Sequence, residues 1–480
     1  MSAFDCIIRN GTVVTGGDVT RCDIAIADGR IAAMAQSLGG APQEIDASAL
    51  LVLPGGIDGH VHLEQPMPGG MQLADDFCTG TVSAACGGTT TVVCFAGQEV
   101  GRSLGAVMQE YRARAAGRAM IDYGFHPIIC DPTEELLARE LPTLIRDGYP
   151  SFKVFMTYDN LKLTDWQILR VLSVAKREGA LVLCHAENSD ITGWLTDQLE
   201  AAGHTAPKYH AASRPMAAER EATHRAITLA EIVGVPILVV HVSGADAAEQ
   251  IRWARARGLP VYAETCPQYL FLSTDDLDTA DYGGAKYVCS PPPREKANQQ
   301  AIWKALAEGV FDIFSSDHSP FRYDDPRGKK LGGKEHPFRS IPNGIPGVAA
   351  RLPLLFSEGV AQGRISLQQF VALTATNPAK LFGLYPRKGT IAVGSDADLV
   401  LWDSNKEVTI TNSLMHHNAD YTPYEGVRVT GWPVTTISRG TVVWESGTLQ
   451  GPPGHGQFIH RNLPSTSHPA CVHISKDPMP

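Results

Sequence analysis

Between about residue 54 and residue 385, short apolar runs alternate with longer stretches of helical character, and this alternation constrains the fold more than any other feature. The runs are Leu51-Val-Leu-Pro54 ahead of His60, Thr91-Val-Val-Cys94, Phe152-Lys-Val-Phe155, Leu181-Val-Leu-Cys184, Ile237-Leu-Val-Val240, Val261-Tyr-Ala263, Tyr287-Val-Cys289 and Asp312-Ile-Phe314. Strands separated by helices pair in parallel through crossovers. Eight βα units over roughly 330 residues have the size of a (β/α)8 barrel with insertions.

The two ends of the chain read differently. Residues 1–53 contain strand-like runs punctuated by Asn10-Gly11 and Asp28-Gly29, the strongest short hairpin signals. Residues 386–450 read as β again, through Lys388–Trp402, Val427-Arg-Val and Arg439–Trp444. Neither end has enough strands alone, so the two are expected to form one small β-sandwich domain beside the barrel at 54–385. From about Gly451 to residue 480 the chain is rich in Pro, Gly, Ser and His and reads as an extended tail, disordered or packed on a neighbouring subunit.

Composition sets outer limits. The chain has 480 residues, 44% hydrophobic and 19% charged, with a net charge of −10. That is an ordinary globular balance, and its sign argues against nucleic acid or an anionic membrane as main partner. Ten cysteines are scattered without a C-x-x-C pair, several inside apolar runs, which fits free thiols in a reducing compartment. No secretory signal and no membrane-spanning run is visible, so a cytoplasmic enzyme is expected.

In a parallel barrel the chemistry gathers where the strands end. His60 and His62 stand one residue apart, so on an extended strand both imidazoles face one side. Further strand ends offer Lys153, His185, His241 and Asp317. Each has an ordinary alternative: His185 or His241 as a hydrogen-bonded core histidine, Asp317 as a helix cap. Lys153 is harder to explain away, because an unpaired ammonium inside an apolar strand is costly; it must be exposed, paired or chemically altered.

Four histidines and an aspartate suit one or two Zn²⁺-like ions. Two ions close together need a bridging anion. A lysine carbamylated by CO₂ would provide one and would remove the buried charge. Spacing alone leaves that modification open.

Longer motifs then narrow the reading. These are Pro54-Gly-Gly-Ile-Asp-Gly-His-Val-His62, Gly87-Gly-Thr-Thr-Thr, Phe152-Lys-Val-Phe-Met-Thr-Tyr158, Cys184-His-Ala-Glu-Asn188, His241-Val-Ser and Ala263-Glu-Thr-Cys-Pro-Gln-Tyr269. Cys289-Ser-Pro-Pro292, Ser316-Asp-His318, Ile341-Pro-Asn-Gly344 and Pro386–Asp398 follow. Over nearly its whole length the sequence resembles the dihydropyrimidinase/hydantoinase branch of the amidohydrolase superfamily.

The resemblance implies a binuclear zinc centre. His60 and His62 would hold one ion with Asp317, and His185 and His241 the other. Lys153, as N6-carboxylysine, and a hydroxide would bridge the two ions, the hydroxide acting as nucleophile. Asp317 would take its proton and pass it to the leaving amide nitrogen. Tyr158 would donate to the oxyanion, its alternative role being an aromatic lid. Ser290 and Asn343 would bind the cyclic amide largely through their backbone, although both loops also read as plain turns. The implied reaction opens 5,6-dihydropyrimidines or 5-monosubstituted hydantoins to N-carbamoyl amino acids, D-selectively for hydantoins, in a homotetramer.

Cys94 departs from the family, which often has an acidic residue there, and the loops at 63–70 and after Tyr158 are where such enzymes vary. Allantoinase and dihydroorotase share the metal scaffold, though no basic clamp for a carboxylate is evident beside the metal motifs. Catalytically silent assembly relatives lose metal ligands, whereas all six candidates are present here.

Overall fold

The computed structural model describes residues 4–331, 333 and 336–465. Strands β1 (Cys6–Val14), β2 (Val19–Ala27), β3 (Arg30–Ala35), β4 (Gln43–Asp46) and β5 (Leu51–Pro54) open the chain. Eight parallel strands follow: β6 (Gly56–Val61), β7 (Thr89–Gly97), β8 (Asp122–Ile128), β9 (Ser151–Phe155), β10 (Leu181–His185), β11 (Ile237–Val239), β12 (Val261–Thr265) and β13 (Ile313–Phe314). They neighbour one another in chain order, and the first and last meet through a bridge between Val61 and His318 that nearly closes the barrel. Four strands complete the chain: β14 (Leu399–Thr409), β15 (Arg428–Ser438), β16 (Thr441–Glu445) and β17 (Thr448–Leu449). The expected pairing of the two chain ends is seen, as β14 lies antiparallel to β5 in a nine-stranded sheet.

Two cores hold the barrel. Phe95, Phe155, Leu183, Leu238 and Tyr262 fill its interior. A larger layer, including Phe125, Val154, Val182 and Ile227, lies between strands and helices. Helix Asp165–Glu178 illustrates how local chemistry sets the crossovers. Thr164 and Gln167 form a capping box at its start, and Gly179 ends it at φ 76°, a left-handed conformation glycine adopts without a Cβ penalty.

Four expectations need correction. Leu51–Pro54 belongs to the terminal sheet, and the first barrel strand starts after it at Gly56. A Cβ on Gly55 would lie 2.1 Å from the Thr90 hydroxyl, so only glycine allows the chain to pass there between sheet and barrel. Tyr287–Cys289 is not a strand; Tyr287 ends a 3-10 helix, Ala280–Tyr287, and Val288 and Cys289 are irregular chain after it. The unforeseen strand is Asp122–Ile128, masked by Gly124 and Pro127; proline offers no N–H, and β8 keeps only Ile128 in register with β9. Finally, Asp28-Gly29 is a tight turn with both φ positive, whereas Asn10 (φ 62°) is a bulge inside continuous β1.

Residues 451–465 of the expected tail pack on their own chain, and residues 466–480 lie outside the described residues. Phe458 bridges to Tyr123, and the buried Arg461 guanidinium donates to Ser151 Oγ at 2.7 Å. Lys388 ties sheet to barrel, buried among Asp122 (2.9 Å), Asp396 (3.2 Å) and Asp398.

Candidate metal centre and cavity

The six metal-ligand candidates meet at the mouth of the barrel. One nitrogen each of His60 and His62 and an oxygen of Asp317 lie within 4.8 Å of one another. Lys153 Nζ is 3.0 Å from His60 Nε2. The His241 ring stands 5.2 Å from that of His60 and 4.4 Å from that of His185, centroid to centroid. Asp317 (φ 51°) and His241 (φ 40°) both sit in left-handed backbone just past their strands, a conformation that costs free energy in residues with a Cβ.

The surroundings decide which imidazole nitrogens are available. Glu264 accepts from His60 Nδ1 at 2.6 Å, so the lone pair is left on Nε2, facing Lys153 and Asp317. Gln65 does the same for His62 Nδ1 at 2.8 Å. Glu187 accepts from His185 Nε2 at 2.8 Å and leaves Nδ1 free. His241 has no hydrogen bond at either ring nitrogen although it is buried. Burial, with His185 and Lys153 facing it, holds that ring neutral, its pKa well below the usual histidine value.

Lys153 is 1% exposed and forms no ion pair with a carboxylate among the described residues. Its ammonium sits 4.2 Å above the Phe95 ring and 4.7 Å from that of Phe155. Burial pushes the amine down to about 8, against the opposing pull of Asp317 and Glu264. Asp317 goes the other way: burial disfavours its charge, but in metal-free protein His60 and His62, where their Nε2 atoms carry a proton towards it, outweigh that and hold the carboxyl well below its usual range.

An unpartnered buried imidazole, two histidines with lone pairs directed by carboxylates, a third set by an amide, an ionised aspartate and a lysine with reduced basicity make a donor set that fits divalent, zinc-like ions.

The centre forms the floor of a cavity of about 730 Å³. Tyr158, Ser290 and Asn343 line it. Asn343 Nδ2 donates to the Tyr158 hydroxyl at 3.2 Å, and Ser290 Oγ donates to Glu187 at 2.5 Å. Burial pushes the Tyr158 phenol up to about 12, so it stays protonated. Met67, Met71, Val100 and Leu161 form an apolar wall. Cys94 is buried in the layer outside the barrel, away from the cavity.

In the sequence Glu187 and Glu264 stand out only as parts of longer motifs, and Gln65 only as part of the variable loop at 63–70. The signal that singled out Lys153, a charge inside an apolar strand, applies equally to Glu264 in Val-Tyr-Ala-Glu-Thr. Gln65 carries no comparable signal.

Comparison with known proteins agrees with this geometry. Residues 51–443 match the family model described as "Amidohydrolase family". The chain is 48% identical over 459 residues to a D-hydantoinase of Rhizobium radiobacter, spanning 95% of this chain and 99% of that one. Among solved structures, a D-hydantoinase superposes with a TM-score of 0.93 at 47% identity, covering 96% of this chain and 99% of that one. The dihydropyrimidinase from Brevibacillus agri NCHU1002 does so with 0.93 at 45% identity, covering 95% and 99%. The barrel and its site define a hydrolytic enzyme, and the chain belongs to the amidohydrolase family. Within that family it falls in the hydantoinase/dihydropyrimidinase branch.

Proposed function

We propose that the protein hydrolyses the ring amide of 5-monosubstituted hydantoins and 5,6-dihydropyrimidines, giving N-carbamoyl amino acids, with D-selectivity for hydantoins. The observation that carries this reading is the convergence of His60, His62, Lys153, His185, His241 and Asp317 at one end of the barrel, all but His60 lining a partly apolar cavity. The names of its relatives support the substrate class.

His60, His62 and Asp317 would hold one zinc ion, and His185 and His241 the other, with Lys153 carbamylated between them. When bound, the ions supply Lewis acidity and bring the pKa of water towards neutrality. The protein does the rest. Ser290 and Asn343 hold the ring amide through their backbone. Tyr158, kept protonated, donates to the oxygen that gains charge as the carbonyl carbon is attacked. Asp317 accepts the proton of the attacking water and returns it to the ring nitrogen as the C–N bond breaks. The new C–O bond leaves a carboxylate.

Two arginines line the cavity, and both are already neutralised: Arg214 by Glu187 at 3.3 Å, and Arg339 by Asp197 and Glu200 at 2.6 and 2.7 Å. A neutral ring substituent suits this wall better than the carboxylate of dihydroorotate. All nine cysteines among the described residues are free, in keeping with a cytoplasmic enzyme, and family likeness supports a homotetramer. No helix among the described residues is long and apolar enough to cross a membrane.

The test is kcat/KM for dihydrouracil, 5-phenylhydantoin, allantoin and dihydroorotate on zinc- and bicarbonate-supplemented enzyme. The first two should dominate. Turnover confined to allantoin or dihydroorotate, or protein that retains no metal, would overturn the reading.

A further inference from the structure

Lys329 is a second buried lysine, and the reaction scheme above makes no use of it. It lies in the long loop after β13, with no exposed surface. Its Nζ donates to the carbonyls of Val288 and Pro342, each at 2.7 Å. Among the described residues no carboxylate pairs with it, and burial pushes its pKa down to about 7. Burying an ammonium against neutral carbonyls, with only the Phe321 ring 5.8 Å away besides, is costly, so what those carbonyls belong to matters.

Val288 stands two residues before Ser290, and Pro342 immediately before Asn343. These are the two loops that carry the amide-binding positions. Val288 O also accepts from Gly344 N at 3.1 Å, so the loops are stitched at one carbonyl from both sides. The next carbonyl, of Cys289, is held by His210 Nε2 at 2.8 Å, and that of Pro291 by the Tyr269 hydroxyl at 3.1 Å. The backbone groups of Ser290 and Asn343, by contrast, take part in no backbone–backbone hydrogen bond among the described residues. The scaffold ties down the flanking groups and leaves those two positions open towards the cavity.

We propose that Lys329 is a positioning residue that sets the separation of the Ser290 and Asn343 loops, and with it the fit of the ring amide. This rests on the reading that these loops bind the amide. A clamp on the amide acts on the part common to every substrate. Its loss should therefore lower kcat/KM by the same factor whatever the ring substituent, roughly tenfold to a hundredfold for a displacement near 1 Å.

Lys329→Met keeps the stem and removes the donors. Zinc content, kcat and KM would be measured for unsubstituted hydantoin and 5-phenylhydantoin, with deuterium exchange across residues 286–292 and 341–346. The expected result is wild-type zinc content, a loss carried mainly by KM and equal for both substrates, and faster exchange in both segments. Lys329→Ala with added ethylamine should recover part of the loss, because the amine refills the donor site. Unequal losses, wild-type kinetics, or unchanged exchange would overturn the proposal. So would failure of both variants to fold, which would make Lys329 a fold determinant and no more. If the wild type opens neither ring, the functional reading fails by itself, and the exchange measurement still decides whether Lys329 clamps the loops.

Discussion

Replacing Glu264 by glutamine tests how the first metal position is prepared. Glu264 Oε1 accepts from His60 Nδ1 at 2.6 Å and from the backbone N–H of His241 at 3.0 Å, and Oε2 has no partner. In Glu264→Gln the amide oxygen keeps both donors, which leaves the new NH₂ where Oε2 now sits. A buried NH₂ without a partner costs about 1–3 kcal/mol of folding stability. That cost is present with and without metal, so it cancels from the zinc affinity. What does not cancel is the charge on the acceptor. A carboxylate roughly doubles the strength of the His60 hydrogen bond and raises the basicity of Nε2. Losing such support lowers metal affinity by about 10–100-fold, or about 1.4–2.7 kcal/mol. Chelator competition followed by elemental analysis would measure this, with unfolding in denaturant reporting the stability cost separately. Wild-type zinc affinity in a folded Glu264→Gln protein would refute the claim that the Glu264 charge raises the basicity of His60 Nε2.

Lys153→Ala should lose zinc and activity, and a short carboxylic acid should partly restore both by replacing the carbamate; full activity without additive would exclude the bridging role. In metal-free protein the Lys153 amine is pushed down to about 8, and only the neutral amine attacks CO₂. At fixed dissolved CO₂, reactivation by zinc should therefore accelerate as pH rises through about 8, and a flat profile would contradict this. Asp317→Asn should fold but lose most turnover, measured as kcat per subunit, because an amide cannot accept the proton. Deleting the chain from Gly456 onward removes Phe458 and Ile459, the latter 1% exposed, and should lower the unfolding free energy by about 3 kcal/mol. Unchanged stability in denaturant would show that this segment is not part of the barrel's packing.

Much of the site was legible in the chain because its signals are local. His60 and His62 share a face through the two-residue period of a strand, and Lys153 stands out because a charge in an apolar run has few acceptable explanations. Asp28-Gly29 reads as a turn because its backbone demand is met by the two residues themselves. Asn10-Gly11 has the same local chemistry yet forms a bulge, because β1 stays paired with β2 on both sides of it, with the register shifted by one residue.

Tertiary structure decided what depends on distant partners. Leu51–Pro54 is apolar enough for either sheet, and pairing with Leu399–Trp402 assigns it to the terminal one. Asp122–Ile128 becomes a strand through its neighbour β7, despite Gly124 and Pro127. The residue types at 60, 62, 185 and 241 were plain from the sequence. Which nitrogen His60, His62 and His185 offer is set by Glu264, 204 residues from His60, by Gln65 and by Glu187, while His241 has no partner at either nitrogen. A sequence displays the cost of burying each group, while the partner that offsets that cost is chosen only when the barrel closes.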